Sequence, residues 1–232
     1  MRFRVMTYNV QGHAASRNGR HLEQVAKVIR EARPDIVGLQ EVHCGTQRSR
    51  SLDQASILAE NTGLNLHFGR SCALAGGDYG NALLTRGTLE RTAVTLLPGK
   101  GEQRSLLDCT VTVDGRSLDV YVTHLTAWGR IKRKEREAQV RVLSDRISAT
   151  TGPFVMMGDL NADPEALELA PLRSNERIRR CGTGKMATHR LTRAYYDHIY
   201  TGGNGWRSGS ISVLKSGPSD HWPVLAELEL ED

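Results

Sequence analysis

Short apolar runs of strand length recur along this chain, and a polar, chemically able residue stands at the end of one run after another. Asn9 follows VMTY, Glu41 follows IVGLQ, His124 follows VYVT, and Asp159 and Asn161 fall in GDLN directly after FVMM. Tyr79 and Asn81 stand at the start of NALLTR, Asp197 precedes HIY, and Asp220-His221 precede WPVLAEL. Runs that alternate apolar with polar residues, or carry β-branched residues, read as strands. Strands of this kind must stack as sheets to bury their apolar faces. Strand ends gathered at one edge of such a stack bring their polar residues together, and loops on a rigid scaffold are the usual home of a site.

The pattern predicts strands over 3–10, 35–40, 64–70, 81–86, 89–97, 105–113, 118–124, 154–157, 197–200, 210–214 and 224–230. Asp114-Gly115 is a hairpin signal between two of them. Residues 22–32 read as an amphipathic helix, with Leu22, Val25, Ala26 and Ile29 on one face and Pro34 as its stop. A second helix spans 52–61, ended by Gly63. A third, over 130–147, is long and charged, with Ile131, Ala138, Val142 and Leu143 as its apolar stripe. The basic, apolar-poor stretch 171–193 reads as a mobile loop. Hairpins outnumber βαβ units in this order, so two largely antiparallel sheets packed face to face, with helices outside, are expected. No linker or internal repeat divides the 232 residues, and one domain over 1–232 follows.

A hydrophobic content of 39 % allows a sizeable core. The net charge of +5 is modest; it suits a polyanionic partner and equally a solubilising surface. Cys44, Cys72, Cys109 and Cys181 form no CxxC pair, which argues against a zinc site. MRFRVMTYNV lacks the apolar core of a signal peptide, and no apolar run is long enough to span a bilayer. The expectation is a soluble cytoplasmic protein with reduced thiols and no membrane partner, a monomer being favoured.

Singly, each polar strand-end residue has a plain structural explanation. Asn9 could cap a turn, Gly158-Asp159 could be an ordinary turn, and a lone His124 or Tyr79 is usually a core residue. Together they suit a hard divalent cation and phosphoryl chemistry. Mg²⁺ takes oxygen ligands and keeps most of its waters, so Glu41 with help from Asn9 or Asp220 would be enough. Asn161, His124 and a protonated His221 could neutralise phosphoryl charge. Asp159, or His221 polarised by Asp197, could deprotonate an attacking water.

The strings MTYNV, LQE, YGNALLTR, VTHL, MMGDLN, YYDHIY and PSDHWPV, in this order, resemble the endonuclease/exonuclease/phosphatase superfamily, deoxyribonuclease-like branch. That resemblance implies an α/β (α+β) fold, a four-layer αββα sandwich with two mainly antiparallel sheets. It implies hydrolysis of phosphoesters with Mg²⁺, Mn²⁺ being a possible substitute. It would make Glu41 the principal metal ligand, with Asn9 and Asp220 close to the metal. Asp159 and Asn161 would orient nucleophile and phosphate, His221 would pair with Asp197, and His124 and Tyr79 would approach the phosphate. The general base stays open between Asp159 and His221. The chain departs from the family's patterns at Tyr196, where Ile is common before the aspartate. It lacks the Trp-Cys-Asp-Arg signature of the 5-phosphatases, and it carries Asn-Ala-Leu where apurinic endonucleases carry Gly-Val-Ala.

Two basic stretches bear on the substrate. Residues 128–141 hold Trp128, Arg130 and Arg133 near His124, and 173–193 is Arg-rich. With Asn81 they make a substrate-binding set for a nucleic acid or nucleotide, through cation–phosphate pairing and stacking on Trp128. The alternative for 130–141 is a solvated helix face neutralised by Glu135 and Glu137. A small-molecule phosphatase acting on inositol phosphates, sugar phosphates or phospholipid headgroups would use the same groups, and a catalytically inert binding module would be expected to have lost one of them.

Overall fold

The expected strand ends converge because the strands form two sheets stacked face to face. The computed structural model describes residues 1–16, 19–127, 129–182, 184 and 186–231. In chain order the strands are β1 (Arg2–Asn9), β2 (Ile36–Cys44), β3 (Asn65–Leu74), β4 (Gly77–Thr85), β5 (Thr88–Leu96), β6 (Ser105–Val113), β7 (Arg116–His124), β8 (Phe154–Asp159), β9 (Ile178–Arg180), β10 (Asp197–Gly202), β11 (Trp206–Val213) and β12 (Val224–Leu230). The helices are α1 (His21–Ala32), α2 (Gln54–Thr62), α3 (Arg133–Ser148) and the single turn α4 (Ala170–Arg173). One sheet runs β11-β12-β1-β2-β4-β3 and the other β5-β6-β7-β8-β10-β9. Neighbours are antiparallel except at the centre of each sheet, where β1–β2 and β7–β8 are parallel.

The two sheets follow one plan. A parallel pair is joined by a crossover carrying a helix, α1 or α3, with two further strands on each side. The ladders even end alike: Val10 N–H bonds to Gln40 O at 3.1 Å, and Leu125 N–H to Asp159 O at 2.9 Å. No repeat in the sequence marks this symmetry, because pairing demands alternation rather than identical residues.

Three apolar layers make the four-layer αββα sandwich. Between the sheets lie Phe3, Val5, Ile36, Leu107, Val120, Val122, Val155 and Met157. Outside the first sheet, Leu22, Val25, Ala26 and Ile29 of α1 cover Met6, Tyr8, Val37 and Leu39. Outside the second, Val140, Leu143 and Ile147 of α3 cover Tyr121, Phe154 and Met156. Among the described residues, no helix is long and apolar enough to cross a membrane.

Two expectations need correction. The face that α3 buries carries Val140, Leu143 and Ile147 with Arg136 and Gln139, whereas Ile131 stands 87 % exposed in the 3-10 turn Gly129–Lys132 that precedes it. Arg136 can be buried because Glu168 at 2.8 Å and the Thr126 carbonyl at 3.0 Å receive its guanidinium. The stretch 171–193 is also not a featureless loop. It contains the end of α4, strand β9 paired with β10, and a bridge from His189 to His221.

Candidate active site

Side-chain parity places most of the site. Successive side chains of a strand point to opposite faces. On β1, Phe3 and Val5 face the other sheet, so Asn9 does too; on β8, Val155 and Met157 carry Asp159 inward in the same way. Val120 and Val122 do this for His124 on β7, and Ile199 does it for Asp197 on β10. At the site end of the sandwich the apolar filling between the sheets gives way to these polar residues.

Glu41 breaks parity. Val37 and Leu39 of its strand face α1, and Glu41 would follow them. Instead β2 bulges: Leu39 pairs with Ala82 and Val42 with Gly80, so Gln40 and Glu41 oppose a single residue. Glu41 takes φ of 59°, a left-handed conformation that costs a non-glycine residue energy and is concentrated at functional sites. The bulge re-aims its carboxylate to Asn9, whose Nδ2 donates to Glu41 Oε1 at 3.1 Å. Gly158 solves a second local problem. Its φ is +153°, and a Cβ there would lie 1.9 Å from the Thr123 carbonyl, so only glycine lets β8 deliver Asp159 this close to β7.

Asp159 is the hub. Its Oδ2 accepts from Asn9 Nδ2 at 3.0 Å across the two sheets, and lies 3.5 Å from His124 Nε2 and 3.6 Å from His221 Nε2. Its Oδ1 accepts from Asn161 N–H at 2.9 Å. His221 Nδ1 pairs with Asp197 Oδ2 at 2.8 Å. Burial alone would lower the His221 pKa, but the charges of Asp197 and then Asp159 overcome it and raise it. Burial raises the Asp159 pKa, the His221 charge opposing. Each charge favours the other, the carboxylate the imidazolium and the imidazolium the carboxylate. Glu41 differs: burial works against its ionisation, yet His13 beside it, the Asn9 amide and the charge of His221 hold its carboxyl well below the usual range.

His124 occupies a different state from His221. Arg104 Nη1 lies 2.9 Å from His124 Nδ1, and a guanidinium can only donate. Nδ1 must therefore accept, the ring hydrogen must sit on Nε2, and the ring is neutral. Burial and the Arg104 charge both push its pKa well below the ordinary value. Asn161 Nδ2 lies 3.1 Å from that Nε2 and donates to the Leu125 carbonyl at 3.0 Å. Two N–H groups thus stand side by side, an arrangement suited to an oxyanion.

The structure therefore brings Asn9, Glu41, His124, Asp159, Asn161, Asp197 and His221 into one connected network. Asp220 lies at its rim, its Oδ2 accepting from Gln11 Nε2 at 2.7 Å. Tyr79 is buried behind the network, its hydroxyl receiving Arg104 at 3.3 Å. Asn81 is not brought to the opening: it is buried and its amide donates to the Ser105 carbonyl at 3.1 Å, tying β4 to β6. Arg130 and Arg133 line a separate cleft of about 690 Å³ that reaches Asn161 and Tyr196. Trp128 lies outside the described residues.

Four participants were missed. Arg104 sets the state of His124. Ser219 Oγ donates to the Asn9 carbonyl at 2.7 Å and receives His221 N–H at 3.1 Å. Thr188 Oγ1 receives the N–H groups of Tyr196 and Asp197 at 3.0 and 3.2 Å. His189 stacks edge-on against His221. Only Ser219 had a sequence signal, standing two residues before His221 in the PSDHW turn.

A hard cation fits this donor set on the Glu41 side. Glu41 is ionised throughout the neutral range, Asn9 fixes one of its oxygens, and the other has His13 Nδ1 at 3.7 Å. Two further groups of metal-binding size involve His221, one with His189 and Asp220 and one with Asp159 and Asp197.

A four-layer αββα sandwich whose two parallel strand pairs end together in one buried carboxylate–histidine network defines a phosphoester-hydrolase scaffold. The chain belongs to the Endonuclease/Exonuclease/phosphatase family, whose profile matches residues 6–221. The uncharacterized protein YbhP of Escherichia coli is 26 % identical over 173 residues, which span 68 % of this chain and 66 % of YbhP. Among solved structures, the endonuclease/exonuclease/phosphatase from Beutenbergia cavernae is similar with a TM-score of 0.80 at 24 % identity, over 99 % of this chain and 72 % of that one. TDP2 from D. rerio, complexed with single strand DNA product, is similar with a TM-score of 0.79 at 17 % identity, over 98 % and 99 % of the two chains. At these identities the structural likeness establishes the fold.

Proposed function

We propose that the protein is a divalent-metal-dependent phosphodiesterase that cleaves nucleic acid, with Asp159 and His221 as its proton-transfer pair. The observation that carries the chemistry is the Asp159 carboxylate, buried, raised in pKa and held by Asn9 within 3.6 Å of a histidine that is itself oriented by Asp197. A base whose pKa is moved toward the working pH takes a proton from water most effectively. Asp159 Oδ2 accepts the proton of the attacking water, and protonated His221 places positive charge against the phosphoryl group. His124 Nε2–H and Asn161 Nδ2–H hold a non-bridging oxygen. Glu41, with Asn9 and Asp220, would hold Mg²⁺, which would supply Lewis-acid neutralisation of the phosphate charge.

The cleft beside Asn161 supports a nucleic acid as the substrate. Glu135 is taken by Lys132 at 2.8 Å and Glu137 by Arg141 at 2.8 Å, so these two acids of the helix do not neutralise its cations at the cleft. Arg130, Arg133 and Lys134 line the cleft without an ion pair among the described residues; of the acids that share it, Asp163, Glu165 and Glu168, the last is paired with Arg136. Ile131 and Leu167 give the same cleft an apolar flank, 87 % and 70 % exposed, for a base or sugar. The fold likeness to a TDP2 solved with a single strand DNA product agrees with this. The four cysteines are unpaired, which supports a reducing, cytoplasmic setting.

The test is a panel of single- and double-stranded DNA, RNA, bis-p-nitrophenyl phosphate and inositol phosphates, each with Mg²⁺ and with Mn²⁺. Turnover of a polynucleotide, abolished by Asp159→Asn, is the expected result. Turnover of inositol phosphates alone would replace the nucleic acid with a small-molecule substrate, and turnover of nothing on the panel would reject the proposal.

A further inference from the structure

The segment 188–194 folds back on itself and clips onto the turn that carries His221. Thr188 and His189 N–H both bond to the Ala194 carbonyl, at 2.9 and 3.1 Å. Trp222 N–H bonds to Thr188 O and Arg190 N–H to Asp220 O, both at 2.7 Å, and the Arg190 guanidinium donates to Ser219 O at 3.0 Å. This backbone lattice fixes the His189 ring edge-on against His221, with centroids 4.7 Å apart.

The tautomer of His189 follows from its neighbours. Thr192 N–H lies 3.1 Å from Nδ1, and a backbone N–H can only donate, so Nδ1 accepts and the hydrogen sits on Nε2. That Nε2–H finds no acceptor among the described residues. The carboxylate oxygen beside it, Asp220 Oδ2, is 3.8 Å away, beyond hydrogen-bonding reach, and already accepts from Gln11. The side chain is 15 % exposed at the rim, so a fixed donor stays open to a ligand beside Asp220 and His221.

We propose that His189 is a further catalytic residue, whose Nε2–H donates to a non-bridging oxygen of the phosphate seated between His221 and Asp220. This rests on the phosphodiesterase reading above. The ligand class is a phosphate mono- or diester whose anionic oxygen supplies the missing acceptor. Burial, then the charge of His221, lowers the His189 pKa, in keeping with a neutral ring donor. It complements the His124–Asn161 pair, because the two sets of donors come from different segments of the chain.

Two substitutions separate donation from packing. His189→Phe keeps a ring against His221 and removes the donor; His189→Gln supplies an amide N–H at similar reach. With Mg²⁺ and an oligonucleotide, His189→Phe is expected to lower kcat about 100-fold, the effect of losing one oxyanion donor, with KM within about twofold. His189→Gln should recover at least about tenfold of that loss. Both should melt within a few degrees of the parent. A kcat for His189→Phe within about threefold of the parent, or equal impairment of the two variants, overturns the proposal. Titration with inorganic phosphate, followed by calorimetry, gives a readout independent of turnover: His189→Phe should bind at least about fivefold more weakly than the parent and His189→Gln should not. If the parent turns over no phosphodiester, the functional reading fails, and equal phosphate affinity in all three proteins then rejects the His189 donor as well.

Discussion

The sharpest test of the nucleic-acid reading is the salt dependence of binding, because its size follows from three side chains. Arg130, Arg133 and Lys134 line the cleft beside Asn161 and form no ion pair among the described residues, with Asp163 and Glu165 on the same cleft. Each neutralised phosphate of a single strand contributes about −0.7 to the slope of log K against log salt. Three contacts therefore give about −2.1, and raising salt fourfold, from about 50 to about 200 mM, weakens binding about 20-fold through this cleft alone. The triple variant Arg130→Ala, Arg133→Ala, Lys134→Ala should lose that component and leave a slope shallower by about 2. Fluorescence anisotropy of a labelled single-stranded oligonucleotide, with Asp159→Asn in both proteins to prevent cleavage, reads it directly. Fold damage is not expected, since the Lys132–Glu135 and Arg141–Glu137 pairs of this segment remain. Parallel slopes for the two proteins would refute the reasoning, and the three cations would then be no more than a solvated helix end.

Three other outcomes follow from the geometry. Glu41→Gln should lower kcat by at least about 100-fold while the melting temperature moves by only a few degrees, since Gln can keep the bond to Asn9; Mg²⁺-dependent turnover and circular dichroism check both halves. Gly158→Ala should cost about 3 kcal/mol or more, because its Cβ would sit 1.9 Å from the Thr123 carbonyl at a φ of +153°; a urea midpoint close to the parent's would contradict this. His198 is buried with its Nε2 bonded to Ala162 O at 2.9 Å, and burial pushes its pKa down to about 4 from 6.5. A histidine depressed in this way contributes stability that is complete above pH 6.5 and is lost as pH falls toward 4, up to about 3 kcal/mol. Urea midpoints at neutral and acidic pH should therefore converge in His198→Asn relative to the parent.

Much of this site was legible in the sequence because strand parity is local. His124 and Asp159 share the parity of apolar residues two and four positions back, Asn9 that of Val5 and Phe3, and Asp197 that of Ile199 two positions ahead, so their common inward direction is already written in the sequence. What stayed hidden depends on contacts distant in sequence. The bulge that re-aims Glu41 exists only in relation to its partner strand β4. Arg104 reads as an ordinary basic residue in a polar loop until His124 and Tyr79 arrive from other strands to enclose it. His189 and Thr188 lie in a run whose composition signals a loop, yet its backbone bonds to the 219–222 turn decide its order. The buried stripe of α3 was misjudged for a related reason, since Arg136 and Gln139 are polar residues whose acceptors come from elsewhere in the chain.

The bond from Asn9 to Asp159 joins side chains on opposite sheets, as does the tie between Ser71 and Ser105, and the Asn81 amide reaches across to the Ser105 carbonyl. The proposed reaction centre is thus a joint between two rigid slabs rather than a pocket carved into one. Its working distances are fixed by how far apart the slabs are held and how they are aligned, and that is set by close contacts deep between them, such as Gly38 against Met157, where even a methyl group would lie 2.7 Å from the thioether. A residue far from the opening can therefore act as a shim. Changing its thickness would detune catalysis through the gap between the slabs, well before it loosened the fold.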